Sequence, residues 1–243
     1  MNLVTDIGNT SIKAAVFNRG ELIKSKLWTE DDNSPVHESL KAFPEIRNAI
    51  ISSVRKDDAG IKSVLDDAGI QVLILDDSTP LPLTNRYSSK ETLGRDRIAA
   101  AVGANARFPG QNVLVIDAGT AITIDFVSSG DEYLGGNISP GLSMRFRSLN
   151  EYTKNLPLVS SADIEYLLAD TTEKAIRAGV QHGIFFEVDE YINLHKNRYP
   201  DLQVMMTGGD AVFFDKNLKN SIFVDLNLNL HGLHRILDYN VGS

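Results

Sequence analysis

Two stretches of this chain end an apolar run with an aspartate and place a glycine two residues later. They read L-V-T-D-I-G-N-T-S-I-K over 3–13 and L-V-I-D-A-G-T-A-I over 114–122. Asp6 and Asp117 are 111 residues apart, close to half of the 243-residue chain. A tight bend between two strands needs backbone freedom, which Gly8 and Gly119 can supply. The N–H groups of such a bend then project where they can hold phosphate oxygens. An aspartate cannot itself attract phosphate, since both are anionic, but it makes sense beside such a bend if a hydrated Mg²⁺ sits between them. Asn9, Thr10 and Ser11 add polar groups. Lys13 could set positive charge by terminal phosphates, although one cation in a strand is more often a surface residue. Met singly, a strand–Asp–Gly bend is common, because both residues favour turns. Two copies, each opening a half, with a third glycine turn in T-G-G-D-A at 207–211, favour a shared chemistry.

A second candidate is G-R-D-R at 94–97, opening an Ala-rich helix. Phosphoryl transfer needs an acceptor hydroxyl in line with the transferring group and charge compensation for its oxygens. Asp96 can hydrogen-bond a hydroxyl and take its proton late. A carboxylate is a weak base, but the transition state is loose, so orientation counts for more than basicity. Arg97 suits bidentate pairing with a carboxylate, and Gly94 lets the backbone approach a ligand closely. Taken alone, the motif reads more readily as an aspartate offsetting a helix macrodipole, with arginines in solvent.

The elements that must position these residues follow from the pattern. Strands are predicted over 2–7, 11–17 and 22–28, with N-R-G-E as a hairpin turn. A short helix over 34–45 is capped by Ser34 with Pro35 at its first position. A strand (48–54), a helix (59–69) and a strand (71–76) follow, then an irregular Pro-rich segment (78–94) and a helix over 95–108. The second half repeats the plan: strands over 112–117, 121–127 and 132–138, helices over 142–153 and 171–199, a strand over 203–209 entering a glycine turn, a helix start, a strand over 221–224 and a helix over 229–239. This alternation implies mixed or parallel sheets covered by helices, and a duplicated α/β domain with a cleft between the halves explains the repeat economically. The apolar strip Ile176, Val180, Ile184, Phe185, Val188 and Ile192 fits either a core-facing helix or an interface.

Composition narrows the classes. Apolar residues make up 42%, enough for a real core. A net charge of −8 argues against a sequence-independent grip on nucleic acid. Without cysteine there is no disulfide framework or thiolate nucleophile. The five histidines show no metal-ligand spacing, and His231 and His234 read as solvated or capping residues. No apolar window approaches the ~20 residues of a membrane span, and the N-terminus lacks a basic segment leading an apolar one. A cytoplasmic protein is expected.

Here a resemblance enters. D-I-G-N-T-S-I-K resembles the first phosphate motif of the actin, sugar-kinase and acetate-kinase superfamily, D-A-G-T-A-I-T-I-D its second, and T-G-G-D-A its adenosine-side glycine motif. No P-loop or protein-kinase signature occurs in the chain. With Y-S-S-K-E-T-L-G-R-D-R (87–97), G-G-N-I-S-P-G-L (135–142) and D-T-T-E-K-A-I-R-A-G (170–179) in the same order, the chain is similar to type III pantothenate kinases from residue 3 to the terminal helix. The resemblance implies two tandem actin-like (ribonuclease H-like) α/β domains, 1–110 and 111–243, each a mixed sheet flanked by helices, with an interdomain cleft. It also implies ATP-dependent phosphorylation of pantothenate to 4′-phosphopantothenate, the first step of coenzyme A synthesis. Asp6, Ile7, Gly8, Asn9, Thr10, Ser11, Ile12 and Lys13 form its first nucleotide loop, and Thr120 contacts ATP phosphate. Asp96 is the proton acceptor. Tyr87, Gly94, Arg95, Asp96, Arg97 and Thr172 line the pantothenate site, although Thr171 is adjacent and a one-residue shift would exchange them. Asp117 holds a monovalent cation, K⁺ or NH₄⁺, alongside the Mg²⁺ that accompanies ATP. A homodimer is implied too. After its tyrosine the family often has Asp-Asn-Pro, where this chain has Ser88, Ser89 and Lys90. A sugar or polyol kinase of the same superfamily, or a non-catalytic nucleotide-binding regulator, are the competing readings.

Overall fold

The structure is a computed structural model that describes residues 1–8, 10–29, 32–55 and 60–242. It comprises two compact units: Met1–Gly110 with Ser128–Leu134 and Asn227–Ser243, and Gln111–Val127 with Gly135–Leu226.

In the first unit β1 (Asn2–Ile7), β2 (Ile12–Asn18) and β3 (Glu21–Trp28) form an antiparallel meander. After α1 (Ser34–Ala42), β4 (Asn48–Ser53) returns parallel to β1; after α2 (Ile61–Asp67), β5 (Gln71–Ile74) lies parallel to β4. The sheet order is therefore β3-β2-β1-β4-β5. A long connection contains β6 (Thr84–Asn85) and a 3₁₀ turn (Lys90–Thr92), and leads into α3 (Arg95–Arg107). Leu3, Ile7, Ile12, Ala14, Val16, Ala49 and Ile51 pack with Val36 of α1 and Ile61 and Leu65 of α2. Fully burying each large aliphatic side chain contributes roughly 1.5–3 kcal/mol.

Helix α1 starts where its Pro35 predicts, but Asn33 is its N-cap and makes no side-chain cap bond. Asp32 does that work from outside the helix, its Oδ1 accepting from Ser34 N (2.9 Å) and Ser34 Oγ (2.7 Å), because a short acidic side chain readily bonds the backbone two residues on.

The second unit begins with β7 (Val113–Ala118) and β8 (Ala121–Ser128), an antiparallel pair. β9 (Glu132–Pro140) follows, nine residues where the sequence predicts a short strand; its first residues, Glu132 and Tyr133, belong to the first unit and pair there with β6. Then come α4 (Leu142–Glu151), α5 (Thr172–Arg198), β10 (Gln203–Thr207), α6 (Ala211–Asn217) and β11 (Phe223–Val224). β10 is parallel to both β7 and β11, giving the order β11-β10-β7-β8-β9. The apolar strip of α5 packs into this unit's own core against Leu114, Ile116, Ile122 and Ile124, so the core-facing explanation of that strip holds. Asp189, also on α5, is 7% exposed and accepts from the Lys219 and Asn220 amides, a buried carboxylate spent on holding a turn.

The last helix, α7 (Leu228–Val241), returns to the first unit, where it packs on β1, β2, β4 and α3. Two glycines permit its approach to α3. A methyl group on Gly232 would sit 1.8 Å from the Ala99 carbonyl oxygen, and one on Gly103 2.5 Å from that of Leu228. His234 is not the solvated or capping residue that the sequence suggests. It is 6% exposed, stacked on Phe17 at 4.3 Å, with its ring nitrogens near Asn2 and Asp238 at 3.4 Å each. The apolar face of α7 is wide enough to take its ring inward along with Leu230, Leu233 and Leu237.

Candidate active site

The first Asp-Gly bend is built by β1 and β2. Ile7 pairs with Ile12 as the last rung, Asp6 with Lys13 as the one before it, and Gly8 N closes the bend on Ser11 O at 2.9 Å. Asp6, Gly8, Ser11 and Lys13 are half-buried, Ile7 and Ile12 are buried, and Thr10 is exposed. Asn9 lies outside the described residues. Gly8 does not adopt a left-handed φ, so its small size, not its backbone freedom, is what the bend uses: a Cβ there would crowd Ser11 O at 3.2 Å.

The end of β4 braces this bend. Val54 N donates to Ile7 O at 3.0 Å, and the Arg55 guanidinium donates through Nε to Gly8 O at 2.9 Å. Arg55 N and Ser53 Oγ form their own small turn, 3.1 Å apart.

G-R-D-R meets the same strand end. Arg95 donates through Nη1 to Ser53 O at 2.6 Å. Gly94 is the N-cap of α3, and a Cβ on it would stand 2.4 Å from Asp96 Oδ1. Glycine therefore leaves room for that half-buried carboxylate, whose Oδ1 accepts from Arg97 N at 2.8 Å. The first turn of α3 also places the negative charge where the helix dipole favours it. Arg97 is 4% exposed, which excludes the solvent position that the motif suggests when taken alone. Its guanidinium lies 5.5 Å from the centroid of the half-buried Tyr87 ring, which is 6.1 Å from Tyr133. A cation over an aromatic face is held more firmly as water is excluded. Tyr87, Gly94, Arg95, Asp96 and Arg97 thus form one cluster, fastened through Ser53–Arg55 to the first bend.

In the second unit β7 delivers a half-buried Asp117, paired with Thr123, and Gly119 N closes the bend on Ala121 O at 3.1 Å. This bend is one residue shorter than the first, its last rung being Ala118 with Ile122. Gly119 has neither a left-handed φ nor a crowded Cβ position. The demand for glycine falls instead on two neighbours, Gly141 and Gly208. Gly141 N donates to Thr120 O at 3.1 Å, and a Cβ on Gly141 would lie 2.2 Å from Gly119 O. Gly208 has φ +98°, and its Cβ would meet Ala118 O at 2.4 Å and Asp117 Oδ1 at 2.5 Å. Asp210 N donates to Ala118 O at 3.0 Å, and burial raises the Asp210 carboxyl above the usual carboxylate range. D-A-G-T, P-G and T-G-G-D therefore meet at one bend, with Thr120 exposed on it. Arg145 of α4 steadies the P-G arm, donating to Pro140 O (2.8 Å), Ser139 Oγ (2.9 Å) and Glu187 Oε2 (2.5 Å). Thr172 stands exposed in the first turn of α5, and Thr171 is that helix's N-cap, accepting from Lys174 N at 3.4 Å.

Among the described residues no three His, Asp or Glu side chains gather to hold a metal. A divalent ion would have to arrive with ligands of its own, as Mg²⁺ does with nucleotide phosphates. Asp117 Oδ1 and Ala118 O both lie close to Gly208.

The residue signals missed in the sequence are Ser53 and Arg55, Gly141, and the Arg145–Glu187 pair. For Arg55 the available sign was an arginine directly after an apolar strand that ends in Ser-Ser-Val.

Comparison with known proteins gives a consistent outcome. Residues 2–194 match the family model of type III pantothenate kinase. A type III pantothenate kinase of Bacteroides fragilis is 46% identical over 245 residues, spanning 100% of this chain and 99% of its own; one of Christiangramia forsetii is 44% identical, spanning 99% of each. Among solved structures, a glucokinase from an Antarctic psychrotroph superposes with a TM-score of 0.54 at 12% identity, covering 98% of both chains, a likeness of fold.

Proposed function

The chain belongs to the type III pantothenate kinase family, and from that premise we propose that it transfers the γ-phosphoryl group of ATP to the primary hydroxyl of pantothenate. The products are 4′-phosphopantothenate and ADP, and the step opens coenzyme A synthesis. The bond that forms joins the hydroxyl oxygen to the γ-phosphorus. The bond that breaks leaves its electron pair on the β-phosphate oxygen of ADP, and the hydroxyl proton passes to Asp96.

Residues 6–13 take nucleotide phosphate on the first bend, and Thr120 does so on the second. Asp96 orients the hydroxyl and accepts its proton as the bond to phosphorus forms. Arg97, already oriented over Tyr87, pairs with the pantothenate carboxylate, and Gly94 and Arg95 complete that side. Thr172 offers a hydroxyl to the same substrate. Asp117 holds a monovalent cation, K⁺ or NH₄⁺, with carbonyl oxygens of its bend, and Mg²⁺ comes with ATP. When bound, these ions offset phosphate charge that a P-loop enzyme meets with lysine. The protein acts in the cytoplasm as a homodimer; exposed apolar side chains such as Phe186 and Leu194 on α5 and Ile138 on β9 offer surface for a second copy. No described helix is long and apolar enough to cross a membrane.

The observation that carries this reading is the fastening of the acceptor-side cluster and the first phosphate bend to the same three residues, 53–55. The test is ADP release with pantothenate, glucose or glycerol as acceptor, in K⁺, NH₄⁺ or Na⁺ buffer. Turnover with pantothenate alone, dependent on K⁺ or NH₄⁺, supports the assignment. Turnover with a sugar instead reassigns Arg97.

A further inference from the structure

We infer that Arg55 is a positioning residue for the first phosphate bend, and that with Arg95 it sets the span between that bend and the Asp96 carboxylate. This rests on the kinase reading above. A phosphate-holding bend works only if its amides are aimed to within a fraction of an ångström, so something must stop its peptide groups from turning. Within the bend, Gly8 N is occupied by Ser11 O. The Gly8 carbonyl is held from outside, by Arg55 Nε at 2.9 Å. Both polar backbone groups of Gly8 are thus held, its amide by Ser11 and its carbonyl by Arg55. A charged donor also makes a stronger bond than a neutral one.

Arg55 is itself anchored, since its amide donates to Ser53 Oγ at 3.1 Å and Ser53 Oγ donates to Arg55 O at 3.2 Å. Ser53 O in turn takes the Arg95 guanidinium at 2.6 Å. Two arginines from different segments thus converge on one three-residue turn at the end of β4, one reaching towards the phosphate bend and the other arriving from the acceptor helix. A shift of that turn moves both. Arg55 also brings positive charge to a bend that carries Asp6, offsetting part of that carboxylate's repulsion of a phosphate.

The test reads nucleotide binding apart from turnover. Calorimetry with the Mg²⁺ complex of a non-hydrolysable ATP analogue is run on wild type, Arg55→Ala, Arg55→Lys and Lys62→Ala, a surface control on α2, with a thermal melt on each. Arg55→Ala is expected to weaken analogue binding about tenfold, the scale of one charge-assisted hydrogen bond. Its melting temperature should stay close to wild type, and Arg55→Lys should recover part of the loss because the ammonium can still donate to Gly8 O. Steady-state kinetics should show the Arg55→Ala defect chiefly in KM for ATP. Arg95→Ala should lower kcat while analogue affinity holds. The inference is overturned if Arg55→Ala binds the analogue as wild type does, or if its loss tracks a fall in melting temperature and lysine restores nothing. Failure of wild type to phosphorylate pantothenate would refute the substrate assignment instead, and the analogue titration would still decide the role of Arg55.

Discussion

At the scale of single residues, Asp96 and Gly141 carry the sharpest expectations. Asp96 Oδ1 already accepts the Arg97 amide, and an asparagine can offer its side-chain oxygen to the same donor. Asp96→Asn should therefore keep the helix start folded while losing the proposed proton acceptor. A turnover loss of about 10²–10⁴-fold is expected, the usual range for removing a general base, with ATP-analogue affinity within about twofold of wild type. Near-normal turnover in a kinetic assay would make Asp96 a structural residue. Gly141 fails differently. A methyl group there has two backbone carbonyls, Gly119 O and Thr120 O, within 2.4 Å, and backbone cannot swing aside as a flexible side chain does. Gly141→Ala should displace the second bend and reduce analogue affinity by an order of magnitude or more, given that overpacking costs about 1–3 kcal/mol. Gly119→Ala, which meets only ordinary contacts at 3.6–3.7 Å, should fold normally. Comparing their melting curves separates the two.

At the scale of elements, the candidate site depends on a helix that lies outside it. α3 carries Gly94–Arg97, and α7 fixes α3 through the Gly103–Gly232 approach. Gly232→Ala puts a methyl group 1.8 Å from Ala99 O, so the helices must separate. Destabilisation of at least about 1–3 kcal/mol follows, seen as a drop of roughly 2–4 °C in melting temperature per kcal/mol for a chain of this size. This dependence shows what the sequence could and could not reveal. The Asp-Gly bends and G-R-D-R were visible because tight turns and helix starts accept few residue types, and those types sit next to one another in the chain. The core face of α5 was visible as period, though period alone could not say whether it met a sheet or another subunit. Gly232, Gly141 and Arg55 were not visible in the same way. Each owes its role to an atom 22 to 133 positions away, the Gly119, Ala99 or Gly8 oxygen, and spacing along one element carries no trace of such partners. His234 was misjudged for the same reason: the ring that it stacks on, Phe17, lies 217 residues upstream.

At the scale of the whole molecule, that histidine gives stability a dependence on pH with a definite sign. His234 is enclosed by Phe17 from β2, Asn2 from β1, and Asp238, His231 and Arg235 from its own helix. Burial is the largest influence and pushes its pKa below the usual 6.5; Asp238 pulls the other way, while His231 and Arg235 add to the lowering. In the folded chain the ring therefore stays neutral to a lower pH than in the unfolded chain. Above about pH 6.5 neither state binds the proton and the group contributes nothing. As pH falls below that value the unfolded state takes the proton first, so folding loses stability down to the folded-state pKa. The carboxylates held low by hydrogen bonds, Asp32, Glu38, Asp76 and Asp170, also lose stability on acidification, but around and below their ordinary values near pH 4. Asp210, raised by burial, runs in the opposite direction. A net charge of −8 works against the histidine too, since acidification relieves self-repulsion. The signal is thus a difference between proteins. From pH 7.5 to 5.5 the melting temperature of wild type should fall further, by a few degrees, than that of His234→Phe, whose ring keeps the stack on Phe17 but cannot take a proton. Parallel curves for the two across that range would mean that the buried ring is protonated at no cost to the fold.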